Sequence, residues 1–278
     1  MAVSDNWLIS EVEIDQFLAF ILKYKGMDLR SYKKSFISRR LKARLDAHRF
    51  DSVAKYVQLI RRDDSEWRAF LNNLCINVSE FFRDQDVFLV FKEVCVPELV
   101  RRKQAGRVRY IRCWSCGCSC GEEAYSIAIT FKEVLKHRIK DFTIKIWATD
   151  IDEEALEKAR RGEYSKETLS KIPPVFLDKY FEEVNEGICR VKEEIRDLVL
   201  FQKQNLFYDP PLTNMDVVFL RNVRIYFSGI EAESVLLRAY LSLKKGGYLI
   251  LGKVETLGSL RSYFEPVSLR SKIFLRSK

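Results

Sequence analysis

Cys113–Glu123 reads CWSCGCSCGEE. Four of the chain's seven cysteines fall within eight positions there, beside Gly117 and Gly121. A metal knuckle, a redox pair, and a strand-to-helix turn with cysteine in small-residue slots all fit the letters. A zinc or iron–sulfur site would need a second set of ligands at recognisable spacing. The two histidines, His48 and His137, are not near the run in sequence. No C-x-x-C opens a helix in the thioredoxin manner. The flanks favour the turn: Val108–Cys113 is an apolar, strand-sized run, and Glu122–His137 follows with helical spacing. No metal is therefore expected.

Outward from this turn the same alternation continues. Thr143–Thr149, Met215–Leu220 and Tyr248–Gly252 read as buried strands, and Asp152–Arg161 and Ile230–Leu243 as helices. Strands separated by helices predict a parallel α/β sheet with helices on both faces. Ile188–Val191 and Leu198–Phe201 suggest a small antiparallel β insertion over about 180–204. Tyr263–Arg276 suggests two final strands around Glu265–Pro266. Before all this, from Glu11 to about Asn77, apolar residues recur at helical spacing, with Asp51 or Ser52 as a cap for the third helix. The expected organisation is an all-α, basic N-terminal domain (1–76), a linker helix region contributing to the cofactor site (77–92), and an α/β domain (93–278).

In such a sheet, ligands bind at the carboxyl ends of the strands. Gly117 and Gly121 are spaced G-x-x-x-G, not the dinucleotide G-x-G-x-x-G. Glu122 and Glu123 open the helix where a phosphate would otherwise sit on free amides. Carboxylates there suit the helix dipole and repel a pyrophosphate. A nucleotide-like ligand with positive centres and no phosphate fits, and S-adenosylmethionine has a sulfonium and an ammonium group. Asp150, ending the second strand, is placed to accept from ribose hydroxyls. The plainer reading is that both glutamates only cap the helix.

The 278-residue chain has 47% hydrophobic and 31% charged residues, as an ordinary globular protein does. It shows no signal-peptide pattern and no apolar run near the ~20 residues of a membrane helix. A cytoplasmic protein without membrane insertion is expected. The net charge of +9 is concentrated at Lys33, Lys34, Arg39, Arg40, Lys42, Arg44 and Arg49, against Asp46 alone within that stretch. Such a field favours an acidic partner, or is simply a solvated helix face.

Six motifs in order resemble the CheR-type chemotaxis receptor methyltransferases: NVSEFFRD (Asn77–Asp84), WSCGCSCGEEAYSIAI (Trp114–Ile129), ATDID (Ala148–Asp152), QNLF (Gln204–Phe207), RNVRIYF (Arg221–Phe227) and GGYLILG (Gly246–Gly252). The resemblance implies a Rossmann-like class I methyltransferase sheet. It also implies S-adenosylmethionine as cofactor and a protein-glutamate O-methyltransferase acting on chemoreceptors, the methyl-accepting chemotaxis proteins. Carried over by position, cofactor contacts fall on Asn77, Ser79, Arg83, Glu123, Asp150, Asn205, Leu206, Arg221 and Asn222. The family implicates Arg83 and Tyr226 at the reacting centre, while a surface ion pair of Arg83 with Asp84 or Asp86 is the plainer reading. The cysteines at 116, 118 and 120 stand where the family has small residues. Two departures matter. Ser79 replaces a common threonine, and Arg224 stands where an apolar residue is usual.

The resemblance also implies that the basic helix 33–49 faces acidic receptor methylation helices. Members that bind a receptor's terminal pentapeptide carry a glycine-rich turn in the β-subdomain. Here that turn, EEVNEGICR, has Gly187 alone, so pentapeptide independence is expected. A nucleic-acid methyltransferase is the main rival, prompted by the charge and by DPPL at Asp209–Leu212. That motif precedes the fourth strand and lacks the aromatic that stacks a flipped base. A different protein methyltransferase on this fold, a non-catalytic cofactor-binding adaptor and an NAD-dependent dehydrogenase are further rivals.

Overall fold

The computed structural model describes residues 9–74, 79–106 and 109–278. The chain divides into two units: residues 1–76 with Tyr226–Glu231, and Asn77–Ile225 with Ala232–Lys278.

The first unit is helical. α1 (Glu11–Lys25) starts at a capping box in which Ser10 and Glu13 bond each other's backbone amides, and stops at Gly26 with φ 66°. α2 (Lys34–Ala47), α3 (Val53–Arg62, capped by the Ser52 side chain) and α4 (Asp64–Leu74) follow. Phe17, Ile21, Ile37, Leu41, Tyr56, Ile60 and Phe70 are fully buried in one core. Within it Glu66 is only 5% exposed. Its carboxylate accepts from Arg44 Nη2 (2.6 Å) and Tyr56 Oη (2.6 Å) and lies 2.8 Å from His48 Nε2. Tyr226–Glu231 joins this unit: Lys33 N–H donates to the Tyr226 carbonyl, and the Tyr226 ring lies 5.0 Å from that of Phe36.

α2 is basic as expected, but sequence-distant acids occupy part of its charge. Lys34 pairs with Glu11 and Asp15, Arg44 with Glu66, and Lys42 with Asp46 one turn away. Lys33, Arg39 and Arg49 remain exposed.

The second unit opens with α5 (Gln85–Val90), a π-helical turn and α6 (Val96–Ala105). The elements that follow are β1 (Tyr110–Cys116), α7 (Glu122–Leu135), β2 (Thr143–Asp150), α8 (Glu153–Arg161), β3 (Glu163–Ser165), α9 (Pro174–Tyr180), β4 (Phe181–Asn185), β5 (Ile188–Val191), α10 (Glu193–Arg196), β6 (Val199–Lys203), β7 (Met215–Leu220), α11 (Gly229–Ser242, its start up to Glu231 belonging to the first unit), β8 (Leu243–Leu251), β9 (Phe264–Ser268) and β10 (Ile273–Arg276). Seven strands form one sheet in the order β6-β2-β1-β7-β8-β10-β9, with helices on both faces. β6, β2, β1, β7 and β8 are mutually parallel, and β10 runs antiparallel to both its neighbours. Every residue of β7 is buried, as a central parallel strand requires. Its one acid, Asp216, is satisfied by the Arg112 N–H (2.9 Å) and by Lys103 and Lys244.

Two expectations need correction. The run Leu198–Phe201 is not part of the small insertion. Val199–Lys203 is the edge strand β6 of the large sheet, in register with Ile146–Asp150. The three-stranded antiparallel sheet is instead β3-β5-β4, beginning at Glu163. An apolar run of four residues does not carry its own sheet assignment; pairing with β2 decides it. Glu265–Pro266 does not separate the last two strands but lies inside β9. β9 is an edge strand, where proline's missing N–H leaves no ladder partner unmet.

Candidate functional site

The turn after β1 is built by close approach. Gly117 has φ 68°, and a Cβ there would stand 2.6 Å from Val223 Cγ2. Gly121 has φ 95°, and a Cβ would stand 2.9 Å from Ala159 Cβ and 3.0 Å from Phe201 Cζ. Both glycines are required by left-handed backbone and by packing. The N–H groups of Gly117 and Cys118 both donate to the Thr149 carbonyl, which folds the turn over the end of β2. Ser119 N–H donates to Asp150 Oδ2 (2.8 Å) and Asp152 N–H to Oδ1 (3.0 Å). Each Asp150 oxygen keeps lone-pair capacity for a ribose hydroxyl. Burial pushes the Asp150 carboxyl above its usual value, against the pull of those amides.

Cys113, Cys116 and Cys118 are buried within this frame, and burial pushes their thiols far up. They pack as small neutral groups. No group of three or more His, Cys, Asp or Glu side chains able to hold a metal occurs among the described residues.

Glu123, in the first turn of α7, accepts from Ser115 Oγ (2.7 Å) and from Arg221 Nη1 (3.1 Å). Burial pushes its carboxyl up, while Arg221 opposes that shift. The Arg221 side chain is 1% exposed. Its Nη2 donates to the Arg83 carbonyl (2.9 Å) and to Asp84 (2.5 Å), and the guanidinium lies 5.8 Å from the centre of the Phe88 ring. Arg221 therefore binds β7, α7 and the Arg83–Asp84 segment to each other. That segment is further fixed by Phe82 N–H on Ser126 Oγ (2.9 Å). Asp84 thus holds Arg221, while Asp86 pairs with Lys253.

Glu122 turns inward. It is 5% exposed, is hydrogen-bonded by Ser79, and burial pushes its carboxyl up. At the end of β6, Gln204 N–H donates to the Asp150 carbonyl (2.8 Å). Asn205 follows, with its N–H on Asp209 Oδ2 and its Oδ1 accepting from Phe207 N–H, and Leu206 lies half-buried in that turn. Pro210 of the DPPL stretch accepts from Gln204 Nε2, before β7 rather than at its end. Asn222 follows Arg221 with φ 59° and donates its N–H to Glu255 (2.9 Å). Asn77 lies outside the described residues, and Tyr226 belongs to the helical unit.

Sequence reasoning missed Ser115, Asp84 and Glu255. Ser115 and Asp84 stand inside quoted motifs, but only packing shows that they serve Glu123 and Arg221. Glu255 lies beyond the last motif and carries no signal of its own.

A glycine turn after β1, a carboxylate ending β2, an acid-headed helix and an antiparallel last strand set into a parallel sheet together define a Rossmann-like class I methyltransferase. The family model described as CheR methyltransferase, SAM binding domain, matches residues 77–273, and that described as CheR methyltransferase, all-alpha domain, matches 12–75. The chain is 34% identical to a chemotaxis protein methyltransferase of Salmonella typhimurium over 94% of its own length and 89% of the relative's. It is 32% identical to chemotaxis protein methyltransferase 1 of Pseudomonas aeruginosa over 97% and 99%. An uncharacterized 104.1 kDa protein of Rhodobacter capsulatus is 32% identical over 91% of this chain, which spans 26% of that protein. The chain belongs to the CheR methyltransferase family, and its cofactor is S-adenosylmethionine. The residues fit that molecule: Glu122 and Glu123 occupy the helix start where a phosphate would bind, and the Asp150 carboxylate ends β2. No helix among the described residues is long and apolar enough to cross a membrane.

Proposed function

We propose that this protein methylates glutamate side chains of chemoreceptors in the cytoplasm, forming methyl esters for chemotactic adaptation. The names of its relatives support the chemotactic setting. The observation that carries the glutamate assignment is the placement of the two histidines, the usual general bases. His48 is tied up with Glu66 in the helical unit, and His137 is exposed on the turn after α7. A nucleophile that arrives already ionised suits such a site, and a glutamate carboxylate, with a solution pKa near 4.3, is one. S-adenosylmethionine, when bound, would supply an activated methyl group on a positively charged sulfur; the ester's O–CH₃ bond forms as the S–CH₃ bond breaks, and the neutral thioether S-adenosylhomocysteine is the leaving product. The protein's part is positioning and exclusion of water.

Asn77, Ser79, Arg83, Glu123, Asp150, Asn205, Leu206 and Asn222 are proposed to surround the cofactor. Arg221, also expected among the cofactor contacts, has a guanidinium buried against Glu123 and Asp84, so it is proposed to serve the same site by holding them. Arg83 is proposed to orient the incoming carboxylate through charge-assisted hydrogen bonds. Tyr226, four residues after Asn222 in the chain, is proposed to donate one more. The domain roles follow: 1–76 for receptor docking, 77–92 as a segment completing the cofactor site, and 93–278 for transfer.

The exposed cations Lys33, Arg39 and Arg49 of the basic helix region are proposed to steer acidic receptor helices. Gly187 alone in the β4–β5 turn supports independence from a receptor-tail pentapeptide; calorimetric binding of such a peptide would refute that part. Incubation with radiolabelled S-adenosylmethionine and receptor-rich membranes tests the whole. Base-labile label on receptors is expected, and its absence from every receptor would overturn the reading.

A further inference from the structure

We propose that Glu255 is a positioning residue of the cofactor site: its carboxylate fixes the loop that carries Asn222 and, through Val223, the glycine turn after β1. The inference rests on Asn222 contacting the cofactor, as proposed above.

Three backbone N–H groups converge on this one side chain. Gly252 (2.7 Å) and Asn222 (2.9 Å) donate to Oε2, and Arg224 (3.0 Å) donates to Oε1. Glu255 is 5% exposed, so these amides stand in place of water. They come from the ends of two neighbouring parallel strands, β7 and β8. The meeting demands a glycine at 252. A Cβ there would stand 2.7 Å from Glu255 Oε2 and 2.9 Å from Asn222 N.

Arg224 holds the loop from its far side. Its buried guanidinium donates to the carbonyls of Ala232 (2.8 Å) and Thr256 (2.7 Å) and pairs with Glu233 (3.4 Å). The charge at this usually apolar position therefore replaces packing with three directed contacts. Val223, fixed between the two anchors, lies against Gly117. Movement of Glu255 would thus disturb both the Asn222 loop and the turn that presents Ser119 to Asp150.

The test compares Glu255→Gln, Glu255→Asp, Arg224→Met and Asn222→Ala. The measurements are S-adenosylhomocysteine affinity by calorimetry, transfer kinetics, and amide hydrogen exchange over residues 220–226. Glutamine is isosteric but turns an N–H₂ group toward the converging amides. It should quicken exchange in 220–226 and raise both Kd and the KM for S-adenosylmethionine about tenfold, with kcat changing less than about threefold. Aspartate keeps the charge and should recover most of the affinity. A folded Glu255→Gln protein with unchanged Kd and KM would overturn the proposal. If that variant does not fold, Arg224→Met decides. A KM rise of about threefold supports positioning, and an unchanged KM refutes it. Asn222→Ala separates the two claims. An unchanged Kd there removes Asn222 from the cofactor site, while exchange over 220–226 in Glu255→Gln still shows whether Glu255 holds the loop.

Discussion

Glu123 lies between Ser115 and a guanidinium that is itself almost wholly buried, so its charge is needed on both sides. Glu123→Gln leaves Arg221 with Asp84 as its sole carboxylate partner among the described residues. The variant should lose about 1–3 kcal/mol of stability in thermal or urea unfolding, the usual cost of a broken charge-assisted bond. Its affinity for S-adenosylhomocysteine should fall by more than Glu255→Gln causes. A pH dependence follows from the same burial. The carboxyls of Glu123 and Asp150 are both raised, from ordinary values of 4.5 and 3.8. In the proposed site, ionised Glu123 attracts the cofactor's positive groups and ionised Asp150 accepts from its ribose hydroxyls. Affinity should therefore fall as pH drops through these raised values. Calorimetry at successively lower pH should show this loss, and Glu123→Gln should remove part of it. For folding the sign is opposite. A carboxyl raised in the folded state costs stability above its folded pKa, and that cost disappears as pH falls below the unfolded value.

At the scale of elements, the β1–α7 turn and the α2–α4 contact each depend on one residue type. Gly121→Ala places a Cβ 2.9 Å from Ala159 on backbone at φ 95°. Strain and overlap together should cost about 2–4 kcal/mol and lower the melting temperature of the α/β unit. In the helical unit, burial works to raise the Glu66 carboxyl, yet Arg44, Tyr56 and His48 outweigh it and hold the group below 4.5. Stability from Glu66 is thus present above its unfolded pKa and is lost as pH falls through the folded one. Glu66→Ala leaves Arg44 half-buried without its carboxylate and should destabilise the helical unit by about 3 kcal/mol in chemical denaturation. Much of each element could be read beforehand. Met215–Leu220 appears as a strand with the expected bounds, because a central strand is buried on both faces and shows as an unbroken apolar run. Leu198–Phe201 could not be placed the same way, since an edge strand's partner is chosen by register with β2.

For the whole molecule, charge and catalysis are expected to separate. The basic helix region keeps Lys33, Arg39 and Arg49 exposed although Lys34, Lys42 and Arg44 are paired within the unit. Arg39→Glu with Arg49→Glu should slow receptor methylation several-fold at low salt and flatten its salt dependence. Cofactor affinity should stay unchanged. A fall in affinity equal to the fall in rate would show that these arginines serve the fold or the cofactor instead.

The alternation of strands and helices, the turn at Gly117 and Gly121, the acids at 122, 123 and 150, and the resemblance that names the cofactor are all legible in the amino-acid order. These are local signals: periodicity, backbone conformations open to glycine, and charge beside a helix start. Folding alone reveals that Arg221 directs its charge inside the protein, that Lys34 and Arg44 of α2 are already paired with acids from other helices, and that Glu255 gathers amides from two strand ends. Each of these joins residues far apart in the chain. A carboxylate's partners are fixed by which elements lie side by side, and that order is not written in any single segment of the sequence.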